Sequence, residues 1–287
     1  MNVLSLFDGI SCGMVALERA GIPVNTYYAS EIEPNAIKVS QKNYPNIIQL
    51  GDVTKWREWD IDWSSIDLLI GGSPCQGFSS SGKGLNFEDP RSKLFFEYVN
   101  ILNHIKQFNP KVKFMLENVK MKDEWSNIIS DYLGVPFKEI NSKYFSAQNR
   151  VRRYWTNFEI LPYIDKGIKL ADIVDDEYIH SAAKRTRPIA NENHRKSLCL
   201  EVNGIEKAMC LVTVNLNNLL TPLPKGRYID CGEHDYPYRV MSPREMERLQ
   251  TVPEGYVGDI TSNKAAKLLG NGWTVDVIAH IFKGLNT

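Results

Sequence analysis

Val3-Leu-Ser-Leu-Phe-Asp-Gly-Ile-Ser-Cys-Gly13 is a buried-strand run that breaks into a turn with two glycines and reopens as a helix. Glycines at such a turn let a ligand approach the backbone, and the helix that follows offers unpaired N–H groups to an anion. The dinucleotide fingerprint Gly-x-Gly-x-x-Gly is absent. The spacing predicts a helix over 12–20 closed by Gly21, a strand over 26–30, and a helix over 34–43 with Pro34 at its start. The same alternation predicts strands over 46–50, 66–70 and 113–116, with a helix over 95–105 between the last two. This is βαβ logic: an α/β fold with a doubly wound, mostly parallel sheet, helices on both faces, and ligands at the carboxyl ends of the strands.

Three carboxylates fall in successive strand-to-helix loops. Asp8 sits in the first turn. Glu31 stands about 20 residues on, at the end of the second strand, where a carboxylate can accept both hydroxyls of a ribose. Asp52 follows Gly51 near the end of the third strand, where a carboxylate can meet an adenine amino group. The fourth strand, Ile66-Asp-Leu-Leu-Ile70, runs into Gly71-Gly-Ser-Pro-Cys-Gln-Gly-Phe-Ser-Ser80, a turn that can carry Cys75 into the open as a nucleophile. The alternative for a lone cysteine is a buried structural thiol.

A chain of 287 residues suits one sizeable domain with a small appendage, and 43% hydrophobic residues can supply its core. The amino terminus lacks a basic segment ahead of a long apolar run, and nowhere do about 18 apolar residues follow one another, so neither secretion nor membrane insertion is expected. Five cysteines without a Cys-x-x-Cys pair predict no metal site and no disulfide framework, which fits the cytoplasm. With 34 basic and 34 acidic side chains, any nucleic-acid contact must come from local patches. From 173 to 238 the periodicity weakens and predicts a small irregular subdomain. Helical signals return over 242–250, where Ser242-Pro243-Arg244-Glu245 has N-cap and N1 chemistry, and over 273–282.

Phe7-Asp-Gly-Ile-Ser-Cys-Gly13, Glu31, Gly51-Asp52, Pro74-Cys75-Gln76, 91–96, Glu117-Asn118-Val119, Gln148-Asn-Arg-Val-Arg152, 239–250 and Gly270-Asn271 occur in this order. The set resembles the motif series of the DNA cytosine-5 methyltransferases, over residues 1–160 and 236–285. Ser73, where many members have proline, resembles the variant of the vertebrate de novo DNA methyltransferases. The resemblance implies S-adenosyl-L-methionine as cofactor: Phe7 against the adenine, Asp8, Gly9 and Ile10 at the methionine end, Glu31 and Ile32 at the ribose, and Asp52 and Val53 framing the adenine. Pro74, Leu94, Asn271 and Gly272 match further cofactor positions.

The same resemblance implies that Cys75 adds to C6 of a cytosine, converting a poorly nucleophilic ring into an enamine that can attack a sulfonium methyl at C5. Glu117 would hydrogen-bond the N3 and N4 edge and support the addition. Arg152 matches the arginine that contacts the target base, Arg150 a neighbouring basic position, and Gln76 follows the nucleophile. Asn149 and Val151 depart from residues that are often charged. No residue identifies itself as the base that removes the C5 proton; water or hydroxide is the family expectation. The cytosine must leave the duplex at a cost of roughly a few kcal/mol, and the Gly- and Ser-rich 76–93 suits a lid.

These expectations place the catalytic domain at 1–172 and 239–287 and target recognition at 173–238. Within the latter, Lys184-Arg-Thr-Arg187 and Arg195-Lys196 suit phosphates or guanine edges, while Asn215, Asn217 and Asn218 carry amides suited to adenine. Arg239 and the helix ending at Gln250 are expected to organise the recognition region. The expected partner is double-stranded DNA, bound by a monomer in the cytoplasm of a bacterial or phage-infected cell, at the nucleoid, with a cognate restriction endonuclease as a candidate partner. Two alternatives stay open: the same chemistry on tRNA, and a catalytically silent DNA-binding relative.

Overall fold

Asn2–Leu6 forms strand β1 and buries Val3 through Leu6, as an apolar run must when both faces of a parallel strand are covered. The structure, a computed structural model, describes residues 1–73, 93–188, 196–204, 206–213, 217–230 and 236–286, excluding the side chains of Pro188, Lys196, Ile229 and Asp230. Its packing divides the chain into two compact units. One is Met1–Asn141 with Val151–Tyr163 and Val275–Thr287; the other is Ser142–Arg150 with Ile164–Thr274.

In the first unit β1 is followed by α1 (Cys12–Arg19), β2 (Thr26–Ser30), α2 (Pro34–Asn43), β3 (Ile48–Gln49), β4 (Leu68–Gly72), α3 (Lys93–Phe108), β5 (Lys113–Val119), α4 (Asp123–Leu133) and β6 (Phe137–Asn141). The chain then makes β7 (Gln148–Asn149), which belongs to the second unit, and returns as β8 (Val151–Thr156). The seven strands lie in the order β3-β2-β1-β4-β5-β8-β6. All pairs are parallel except those of β8, which runs antiparallel to β5 and β6. Strand order reverses between β1 and β4, the switch point at which such sheets bind ligands beyond their carboxyl ends.

Helix α3 shows how a core is written at helical spacing. Phe95, Tyr98, Val99, Ile101, Leu102 and Ile105 are buried against Leu4, Leu6, Leu69, Phe114 and Leu116 of the sheet. It approaches β4 closely enough that a Cβ on Gly71 would stand 3.1 Å from the Tyr98 ring and from the Leu6 carbonyl, so any side chain there would require its neighbours to give. Sequence patterning did not anticipate α4, β6 or β8.

The second unit holds β9 (His180–Pro188), β10 (Lys196–Gly204), β11 (Ala208–Met209), β12 (Leu219–Thr221), β13 (Gly226–Asp230) and β14 (Arg239–Val240). Five of these form an antiparallel sheet in the order β13-β10-β9-β12-β14, and β11 pairs with β7. Where an irregular subdomain was expected over 173–238, the described residues therefore form a sheet. Ala182, Leu200, Val202 and Leu219 pack together on one face, and Ala183, Cys199 and Leu220 are buried on the other. Charged residues alternate with them, and a bulge between Val202 and Gly204 shifts the register, so no contiguous apolar run announces the strands.

Three helices close the chain: α5 (Pro243–Gln250), α6 (Ser262–Asn271) and α7 (Val275–Phe282). Ser242 and Glu245 make the expected reciprocal capping box at the start of α5, while α6 was not anticipated. Apolar α7, with Val275, Val277, Ile278, Ile281 and Phe282 fully buried, rejoins the first unit, where Asp276 pairs with Arg19 of α1 at 2.5 Å.

Candidate active site

The loop after β1 is built from left-handed backbone at Phe7 (φ +57°), Gly9 (φ +61°) and Ser11 (φ +60°). For a bulky residue such as Phe7 that conformation costs on the order of 1–3 kcal/mol, and surrounding bonds must hold it. They are present. Asp8 N–H donates to the Ser30 carbonyl at 3.1 Å. The Asp8 carboxylate accepts from the Tyr27 hydroxyl at 2.8 Å and from the Ser11 hydroxyl, which also meets the Ser40 hydroxyl at 2.6 Å. Burial pushes the Asp8 carboxyl up to about 6, against the lowering pull of the Ser11 and Tyr27 hydroxyls.

Glu31, just past β2, ties the loops together. Its Oε2 accepts from Gly9 N–H at 2.7 Å, and its Oε1 accepts from the N–H groups of Ile32 at 2.7 Å and Glu33 at 2.8 Å. A carboxylate has about four lone-pair sites, so Oε2 keeps capacity for a hydroxyl. Beside it Ile32 is 71% exposed, a large apolar side chain with no cover of its own. Nothing lies within 4 Å of where a Cβ on Gly9 would stand. Partly buried Phe7 packs on the edge of the core, and Ile10 is buried beneath the loop.

After β3, Asp52 caps the 3₁₀ turn that begins at Val53, accepting from Thr54 N–H at 2.9 Å and Thr54 hydroxyl at 2.8 Å. Those two bonds hold its carboxyl below the usual range. Val53 is buried, and Leu94, in the first turn of α3, lies half-buried on the same core. An apolar flank, a carboxylate at ribose distance in the motif, and an open glycine edge together fit an adenosyl group with a polar tail.

At the other side of the switch point, Glu117 in β5 and Arg152 in β8 form a largely buried ion pair, Nε to Oε1 3.0 Å. The antiparallel register sets Arg152 opposite Val119 and so brings the start of β8 to the end of β5. Asn118 points its amide at Ser73, donating to the hydroxyl at 3.1 Å, and accepts from Val119 N–H at 2.8 Å. Ser73 is the last described residue of the β4 exit; Pro74, Cys75 and Gln76 lie outside the described residues, as do most of the expected lid and Arg195. Tyr27 was not singled out from sequence, and Ser11 and Asn118, though inside quoted motifs, were assigned no role there.

Arg150, grouped with Arg152 on sequence, belongs to the second unit. It is 4% exposed, and its guanidinium donates to the carbonyls of Leu211 at 3.1 Å, Gly270 at 3.1 Å and Gly272 at 2.9 Å. These bonds fasten the exit of α6, where Asn271 is exposed and Gly272 N–H caps the helix on Leu268 and Leu269 at 3.1 Å. Gln148 donates to the Leu249 carbonyl at 2.7 Å and to Gln250 Oε1 at 2.8 Å. The 239–250 segment is a polar framework. Arg239 bridges Asp176 and Glu245, and fully buried Glu247 accepts from Gly255 and Val257 N–H, each at 2.8 Å. Asn218, expected as an adenine reader, is spent on the Val212 backbone, with bonds at 3.1 and 2.6 Å. Asn215 lies outside the described residues; Asn217 lies within them, half-buried. Among the described residues no cluster of His, Cys, Asp and Glu could hold a metal ion, and no helix is long and apolar enough to cross a membrane.

A family profile described as C-5 cytosine-specific DNA methylase matches residues 1–152 and 122–287. The chain is 31% identical to Type II methyltransferase M1.ScrFI of Lactococcus lactis subsp. cremoris over 96% of its own length and 76% of that protein. It is 37% identical to Type II methyltransferase M.NgoBV of Neisseria gonorrhoeae over 54% of its length and 41% of that protein, so it spans less than half of this relative. The fold matches the solved structure of Entamoeba histolytica methyltransferase EhMeth with a TM-score of 0.70 at 16% identity, covering 99% of this chain and 97% of that one.

Proposed function

This chain belongs to the C-5 cytosine-specific DNA methylase family, and we propose that it methylates C5 of a flipped-out cytosine within a short sequence of double-stranded DNA, with Cys75 as nucleophile. When bound, S-adenosyl-L-methionine supplies a methyl group on a sulfonium centre. The observation that carries the reading is the pairing, beyond the carboxyl ends of one sheet, of the Gly9–Glu31 loop with the buried Glu117–Arg152 pair.

Glu31 accepts the ribose hydroxyls while its other oxygen keeps the loop closed on Ile32 and Glu33. Phe7, Ile32, Asp52 and Val53 flank the adenine. Asp8 and Ile10 shape the Gly9 turn for the methionine end. Pro74 and Leu94 complete the cofactor site in the first unit, and Asn271 and Gly272 match further cofactor positions of the family. Cys75 adds through its thiolate to C6, with Gln76 beside it. Glu117 holds the N3 and N4 edge, and Arg152, its partner at 3.0 Å, aligns that carboxyl and contacts the base. Arg150 acts at a distance by fixing the 270–272 turn. Water or hydroxide removes the C5 proton, after which the thiolate leaves.

Residues 173–238 carry recognition, and 1–172 with 239–287 carry catalysis. The reading includes a cytoplasmic enzyme at the nucleoid, monomeric on DNA; the bacterial and phage names among the relatives support a bacterial or phage setting, and the Type II name a restriction endonuclease as candidate partner. Base-resolution 5-methylcytosine mapping of plasmid from methylation-free cells tests the reading. Wild type should place methylcytosine in one short context, and Cys75→Ala should place none. Unmodified plasmid from well-expressed wild type would overturn DNA as substrate and make tRNA the next one assayed.

A further inference from the structure

The antiparallel sheet of the second unit has two unlike faces. Ala182, Leu200, Val202 and Leu219 fill one, with Tyr228 and Tyr238 packed against them. Lys184 lies on that side, its ammonium 4.2 Å from the Tyr238 ring centre. The other face, one residue out of phase, buries Ala183, Cys199 and Leu220 and carries Arg185 and Arg187 of β9, Glu201 of β10 and Arg227 of β13.

Glu201 is the centre of this face. Its side chain is 7% exposed and its two oxygens serve three guanidinium groups: Arg187 at 2.7 and 2.9 Å, Arg227 at 3.2 Å and Arg185 at 3.7 Å. One arginine with a bidentate grip satisfies a carboxylate. Two more add mutual repulsion, and the cluster keeps a surplus of two positive charges on a strip about 10 Å wide, two strand spacings across. The arginine side chains nonetheless remain 44%, 35% and 58% exposed. In a chain whose charges otherwise cancel, with 34 of each sign, such a concentration is a local feature that fold stability does not require.

We propose that Arg185, Arg187 and Arg227, aligned by Glu201, form the face on which the recognition unit meets the phosphate backbone of duplex DNA. Phosphates are favoured over base edges because the bidentate edge of Arg187, the one that would read guanine, is already engaged by Glu201. Glu201 is a positioning residue: it fixes where three flexible cations stand before DNA arrives. The proposal rests on the DNA reading given above.

The test is duplex binding by the full-length protein across a range of NaCl concentrations, with mixed-sequence DNA and two unrelated sequences, for wild type, Arg185→Ala/Arg227→Ala and Arg185→Lys/Arg227→Lys. The alanine pair should flatten the plot of log Kobs against log salt by about 1.8, some 0.9 per lost phosphate contact. It should weaken all sequences alike while leaving S-adenosylmethionine binding by calorimetry unchanged, and the lysine pair should keep most of the slope. An unchanged slope in the alanine pair, when the wild type binds DNA, would overturn this face alone, as would a loss confined to one sequence. A wild type that binds the cofactor but no duplex, or binds an RNA hairpin in its place, would overturn both this face and the DNA reading.

Discussion

Asp8 carries an electrostatic cost that the cofactor loop has to bear. Its carboxyl titrates near 6 because burial disfavours the anion more than the Tyr27 and Ser11 hydroxyls favour it. The folded pKa lies above the 3.8 of a free aspartate, so Asp8 stabilises the fold most fully below pH 4, and the contribution declines as pH rises through 6. The loss amounts to about 3 kcal/mol, two units at 1.36 kcal/mol each. Denaturant titrations between pH 4 and 7 should show this decline in wild type and a flatter profile in Asp8→Asn. Glu31 makes a different demand: three backbone amides converge on its carboxylate before any ligand is present. Glu31→Ala should weaken S-adenosylmethionine by at least about 1 kcal/mol in calorimetry, the value of a charged hydrogen bond. Unchanged affinity would remove Glu31 from the cofactor site. The spacing of Glu31 from the first strand was legible in the sequence. The Tyr27–Asp8–Ser11–Ser40 network was not, because it joins residues from three elements whose approach depends on strand pairing.

The central strands of the parallel sheet were readable because both faces are covered and apolar residues dominate them, as in Val3, Leu4 and Leu6 and in Leu68 to Ile70. Where charged residues interrupt the apolar ones, as Arg185, Arg187 and Glu201 do in β9 and β10, the strand was hidden. The β7–β8 segment shows a further limit. Gln148, Arg150 and Arg152 share one side of an extended chain, yet Arg150 serves the framework of the second unit while Arg152 pairs with Glu117 in the first. A period of two tells which way a side chain points and not which neighbour receives it. Arg150→Ala removes a buried guanidinium that serves the Leu211, Gly270 and Gly272 carbonyls and should cost about 3 kcal/mol, read as a lowered midpoint in urea unfolding. A midpoint within error of wild type would show that the carbonyls find other partners.

The whole chain is charge-neutral, and its division of labour follows from where the charges stand: paired within frameworks such as Arg239 with Asp176 and Glu245, concentrated around Glu201. The first unit is also discontinuous. Its α7, buried through Val275, Val277, Ile278, Ile281 and Phe282, joins α1 only after the entire second unit has been spelled out. Deleting 275–287 should therefore leave protein that aggregates or lacks a cooperative unfolding transition, checked by solubility and calorimetry; a soluble, cooperatively melting truncation would show α7 to be dispensable. On the ribosome the same arrangement makes time a variable. At about 5–20 residues per second, the apolar flank of α1 emerges on the order of ten seconds or more before the helix that will cover it. The growing chain must keep that flank out of other contacts until translation reaches Phe282, so the enzyme's yield in a cell depends on elongation rate and chaperone supply as well as on the stability of the finished fold.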